Sequence, residues 1–211
     1  MLALMSFFWM VVLAEGGLAI IAILADVFLL GLNYWQQIWC HGETLGQIFW
    51  GLLPLIIGYF VLQALPLESL QRIDRLVREM FQQHMNSLKL WQLAVIAALA
   101  GIGEELFFRG LLQLGLSSVF HVWLAIFLAS LSFGLAHAVT RTYFLLAFVI
   151  SVYLGFLFDY TGNLFVPIAI HALYDFFVFL YIKFTSNSDR QELRQNSEPQ
   201  SYNYEQNPPR M

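Results

Sequence analysis

Residues 45–65 read LGQIFWGLLPLIIGYFVLQAL, a run with no charged side chain. A helix needs about 20 mostly apolar residues to cross a bilayer, and this chain offers such a stretch repeatedly. Residues 2–32, 90–116, 122–139, 142–160 and 164–184 supply the others, the first interrupted by Glu15 and Asp26 and the second carrying a charged motif. Pro54 predicts a kink or break in the span at 45–65. The composition agrees: 59% of residues are hydrophobic and 11% charged, against about 25% charge in a soluble domain. The expected fold class is therefore all-α, a polytopic transmembrane helical bundle of about six spans embedded in a lipid bilayer. No broad basic surface is present, which argues against nucleic acid as a partner. A single cysteine, Cys40, excludes an internal disulfide. The N-terminus lacks the basic region and small-residue cleavage site of a signal peptide and reads as the start of the first span.

Two segments differ in kind. In residues 66–89, Leu70, Ile73, Val77 and Met80 recur at helical spacing with Arg72, Arg75 and Arg78 between them, the pattern of an amphipathic helix on the membrane surface. From residue 185 onward Ser, Asn, Gln, Glu and Pro replace the apolar period, which predicts a polar disordered tail over 185–211. The chain thus divides into N-terminal spans with their amphipathic connector (1–89), a helical core (90–184) and the tail (185–211). Arg72, Arg75, Arg78 and Lys89 lie in one connection, Arg141 in another, and Lys183, Arg190 and Arg194 after the last span. With six spans these all fall on one side, so the positive-inside rule places both termini in the cytoplasm.

The stretch GEELFFRG at 103–110 sets Glu104, Glu105 and Arg109 within an apolar span. Each charge at that depth costs at least about 2.5–3.5 kcal/mol. On a helix, positions i and i+4 share a face, so Glu105 and Arg109 can pair while Glu104 points about 100° away and is left free. Downstream, FGLAH places Phe133 one turn before His137, and HALYD places His171 one turn before Asp175 on a shared face. Imidazole with carboxylate can activate water, either as base and polariser or as ligands of a divalent metal. About 14 residues separate Glu104 from the turn near Ser118 and about 18 separate that turn from His137, so the hairpin sets them within roughly 6 Å in depth. His171 lies closer to its own turn, and Pro167 or a bent helix would have to supply the difference.

These residues resemble a known family. EELFFR is similar to the EExxxR motif, FGLAH to FxxxH and HALYD to HxxxN, in the order found in the CAAX proteases and bacteriocin-processing enzymes, also called the Abi family. The resemblance covers roughly residues 90–180. It implies a polytopic helical intramembrane endopeptidase acting on a membrane-associated protein or peptide. By motif position Glu104 would be the water-activating carboxylate, assisted by His137 and His171, with Glu105, Arg109 and Phe133 supporting the site. Asp175 stands where the third motif usually has Asn, and an ionised Asp cannot donate a hydrogen bond as Asn can. It suits a metal ligand or the orienter of a histidine better. The resemblance leaves two versions open, one with Zn2+ held by His137, His171 and Asp175, the other metal-free.

Other intramembrane proteases find no support, since the chain has no HExxH, GxSG or GxGD. The competing class is a non-catalytic membrane scaffold or bacteriocin-immunity protein of the same fold, in which the polar cluster only holds helices together. A small transporter using Glu15, Glu104 and the histidines as a proton path is disfavoured by the lack of an inverted repeat. Cys40, His41 and Glu43 read as incidental neighbours in a short loop, and Asp159 as a turn residue.

Overall fold

The computed structural model describes the backbone of residues 2–197 and the side chains of residues 7–185, and no strand occurs among them. Helix α1 (Leu2–Ala25) continues into a short π-helical turn, Asp26–Leu30. The buried Asp26 then ends the span. Its Oδ1 accepts from the backbone N–H of Leu32 at 2.5 Å and of Asn33 at 3.2 Å, satisfying donors that the chain exposes as it leaves the helix. Helix α2 (Gly42–Ala64) runs unbroken through Pro54, which faces outward. The connector is α3 (Glu68–His84). Helix α4 (Leu90–Glu105), a π-helical segment (Leu106–Gln113) and α5 (Leu114–Ser117) follow one another without interruption. Helices α6 (Val122–Ala136), α7 (Arg141–Thr161) and α8 (Phe165–Ser197) complete the bundle.

Each expected apolar segment is helical. Phe7–Leu30, Gly42–Ala64, Arg141–Thr161 and Phe165–Thr185 are long and apolar enough to span a membrane, while α6 is apolar but shorter. Leu13, Phe28, Leu29, Phe49, Trp50 and Val149 are exposed on the outer surface, as lipid-facing side chains must be. Asp159 stands in the last turn of α7, and the turn itself is made by Gly162, whose φ of 60° is left-handed. The polar stretch from residue 185, expected to be unstructured, begins as helix, since α8 continues to Ser197. Thr185–Ser197 holds neither proline nor glycine, and extending a formed helix is far cheaper than nucleating one. Residues 198–211 of the expected tail lie outside the described residues.

Helix α4 is central, packed against α8 and α1, while α6 pairs with α7 and α2 lies on α8. Small residues permit this closeness. A side chain at Gly101 would meet the α8 backbone, with Ala172 N and Ile168 O both 2.8 Å from the added Cβ. One at Gly103 would come to 2.5 Å from the carbonyl oxygen of Glu15 on α1. Helix α3 is tied down by Arg78, which pairs with Asp74 at 2.7 Å and donates to Thr185 Oγ1 of α8 at 2.8 Å. At the opposite end of α8, Asn163 donates to the carbonyl of Trp39 at 2.9 Å and links the α1–α2 loop to the α7–α8 turn.

Gly101→Ala should destabilise the bundle by about 1–3 kcal/mol through overpacking, read as a lower unfolding midpoint in detergent. Gly58→Ala, with nothing within 4 Å of the added Cβ, should leave the midpoint unchanged or raise it.

Candidate active site

The site is built on the junction between α4 and the π-helical segment. Glu105, the last residue of α4, is fully buried, and its Oε2 lies 3.0 Å from Nε of the equally buried Arg109. Arg109 then reaches across to α7, where its Nη2 donates to the Ser151 carbonyl at 2.6 Å and to Ser151 Oγ at 2.9 Å. One turn on, Gln113 Nε2 donates to the Gly155 carbonyl at 3.0 Å. The two rungs repeat at a spacing of four residues on both helices. Gly155 makes room for the second, because a Cβ there would lie 2.8 Å from Gln113 Oε1. A π turn, with i→i+5 hydrogen bonds, is wider than an α turn and is often found at functional sites; here it carries both rungs.

Glu105 also orients a histidine. Its Oε1 lies 2.7 Å from His171 Nδ1. A carboxylate paired with an arginine accepts, so Nδ1 carries the hydrogen. His137, at the C-terminal cap of α6, is fixed in the same way, with Nδ1 2.9 Å from the carbonyl of Phe133. A carbonyl can only accept, so this Nδ1 is also protonated. Phe133 stacks on the His137 ring at 4.3 Å and lies edge-on to His171 at 6.1 Å. Its ring also takes the Arg109 guanidinium at 5.3 Å, a cation–π contact.

With both Nδ1 atoms anchored, both Nε2 atoms turn to Glu104. His137 Nε2 is 3.7 Å from Glu104 Oε1, and His171 Nε2 is 3.8 Å from Oε2. Asp175 Oδ2 stands 3.6 Å from the same His171 nitrogen. These gaps are too long for direct hydrogen bonds, and separations of this kind are where an inserted group can bridge. Glu104 Oε2 is buried with no hydrogen-bond partner. Every motif residue singled out in the sequence therefore converges here: Glu104 faces the histidines, Asp175 flanks His171, and Glu105, Arg109 and Phe133 form the layer behind.

Two further groups belong to the site. Glu15 of α1 lies within electrostatic reach of Glu104, His171, His137 and Asp175, and Tyr143 of α7 packs against His137 with ring centroids 6.4 Å apart. Glu15 was visible as an acid inside a span, but spacing could not pair it with residues nearly ninety positions away. Ser151 and Gly155 carried a signal too, the four-residue repeat of small residues that marks close helix contacts.

Two imidazoles and a carboxylate suit a divalent ion in chemistry, and each histidine has the outer hydrogen bond that metal-ligating histidines usually have. In arrangement they fall short. Among the described residues no group of three His, Cys, Asp or Glu is placed to hold an ion.

The class is therefore an all-α integral membrane protein with carboxylates and imidazoles gathered inside its helical bundle. Residues 86–177 match the family model described as type II CAAX prenyl endopeptidase Rce1-like, which supports the resemblance to the CAAX proteases over that segment. No curated protein and no solved structure matches the chain.

Breaking the buried pair should be costly. Arg109→Met leaves Glu105 buried without its cation and should destabilise by about 3–5 kcal/mol, measured by chemical unfolding in detergent. Adding Glu105→Gln should recover a large part of that loss.

Proposed function

We propose that the protein is an intramembrane endopeptidase that hydrolyses a peptide bond of a membrane-associated protein or peptide, with Glu104 as general base. The observation that carries this reading is the arrangement of two anchored imidazoles whose Nε2 atoms both face the Glu104 carboxylate, whose Oε2 is buried without a hydrogen-bond partner. A water between them gives one hydrogen to His137 Nε2 as a hydrogen bond and the other to Glu104 Oε1 as a proton. The resulting hydroxide adds to the scissile carbonyl carbon, and the π electron pair moves onto the carbonyl oxygen. His171, as imidazolium, donates from Nε2 to that oxyanion, with Asp175 beside it to hold the ring. Collapse breaks the C–N bond, and the leaving amine takes the proton from Glu104. Glu105, Arg109 and Phe133 touch no reacting atom and act as positioning residues.

Substrate reaches the site from the side of the α6–α7 turn. An open groove of about 520 Å³ lies at that turn, lined by Arg72, Leu135, Ala138, Val139, Thr140 and Arg141 together with Phe144. In this reading both chain termini and the groove's arginines face the cytoplasm. A Zn2+ version would use His137, His171 and Asp175 as ligands; the metal-free version is preferred because the donors do not close around an ion as placed.

A quenched farnesylated peptide ending in a CAAX sequence is a direct probe. Glu104→Gln, His137→Ala and His171→Ala should each slow its cleavage by about 10²–10⁴-fold while leaving membrane insertion intact. Wild-type rates in all three would sink the catalytic assignment. Comparative membrane proteomics of the Glu104→Gln strain should show an accumulated precursor, which identifies the natural substrate. Purified active protein should contain no stoichiometric metal and should keep its rate under chelation. Loss of activity on chelation with recovery on Zn2+ would establish the metal version instead.

A further inference from the structure

Peptide hydrolysis at this site needs hydrogen-bond donors for the oxygen on which charge develops, and such donors are scarce. Glu104, Glu105 and Asp175 as carboxylates only accept. Arg109 is committed to Glu105 and Ser151, and at 1% exposure it is out of a substrate's reach. His137 gives its one hydrogen to the Phe133 carbonyl. His171 remains as a single donor.

Tyr143 stands where a second could come from. It is the third residue of α7, and its backbone N–H donates to Thr140 Oγ1 at 3.0 Å, so the helix cap fixes its position beside the His137 turn. Its ring is half-buried and tilted 59° against the His137 ring. Both Glu104 and Asp175 lie within its electrostatic reach. Tyr174 is the other phenol nearby, but its charged neighbour is Asp175 and not Glu104, which sets it farther from the base.

We propose that Tyr143 is an oxyanion donor of this site, its neutral Oη–H hydrogen-bonding the scissile carbonyl oxygen as hydroxide adds. The inference rests on the endopeptidase reading above. The carbonyl π pair moves onto the oxygen, the new C–O bond forms from the hydroxide, and the phenol keeps its proton throughout. Because the bond strengthens only as charge builds, its loss falls on kcat and not on KM.

The experiment uses full-length protein and the farnesylated quenched peptide. Tyr143→Phe removes one oxygen and keeps the ring against His137. It should lower kcat by about 10²-fold and leave KM within about threefold, since the lost bond forms only in the transition state. In the Tyr143→Phe background, Asp175→Asn returns an N–H donor to the site and should restore part of kcat. Tyr143→Gln, which keeps a donor without the ring, should exceed Tyr143→Ala by about tenfold if donation matters. A Tyr143→Phe enzyme with wild-type kcat, or equal rates for the Gln and Ala variants, would overturn the proposal and reduce Tyr143 to packing. Glu104→Gln separates the two failures. If it is inactive while Tyr143→Phe is normal, only the role of Tyr143 falls; if it is as active as wild type, the assignment of Glu104 as base falls, and if the wild type itself cleaves no peptide, the endopeptidase reading falls.

Discussion

The bundle's interior depends on one carboxylate. Glu105 sends one oxygen to Arg109 and the other to His171, and Arg109 passes the connection on to Ser151 of α7. Three helices are thus tied at a point that no water reaches. Taking two ions out of water costs several kcal/mol each unless geometry and further hydrogen bonds compensate. Compensation here comes from the pairing itself, from the hydroxyl and carbonyl of Ser151, and from the Phe133 ring. The cluster is therefore better described as a specification of register than as a source of net stability. It decides where α7 and α8 stand relative to the α4 junction.

The π-helical segment gives that specification its form. Arg109 and Gln113 meet Ser151 and Gly155 as two parallel rungs, both using backbone carbonyls of α7 as acceptors. A helical carbonyl already bonded in its own helix keeps a second lone pair, so α7 gives up nothing by accepting. Sliding α7 by one residue would break both rungs together. The histidines are held by the same principle of double anchoring. Each has its Nδ1 tied to an acceptor, so Nε2 is presented to Glu104, and in the proposed mechanism the reactive geometry follows from groups that do not react.

Much of this was legible beforehand because the relevant interactions are local. The pairing of Glu105 with Arg109 and of His171 with Asp175 follows from helical spacing. The apolar runs gave the helices, since a bilayer leaves few alternatives. Boundaries that depend on chain continuity were less visible. The helix past Thr185 has no apolar signal, and the π segment has no compositional mark at all. The contributions of Glu15, Tyr143 and Ser151 were hidden for a different reason. They come from helices whose approach is set by tertiary packing, and one sequence does not encode which faces meet. The division of the three motif charges into a pair and a free carboxylate was readable; what stands opposite that carboxylate was readable only in part.

The contact between α1 and Gly103 has a consequence for what counts as the unit of this protein. The stretch resembling the CAAX proteases begins at residue 86, yet the wall beside its first motif is the main chain of Glu15. Backbone meets glycine there, and the Glu15 side chain lies within electrostatic reach of Glu104 and the histidines. The recognisable segment is thus a unit of ancestry and not of architecture. A helix from outside that segment packs against its first motif and brings an acid within electrostatic reach of Glu104.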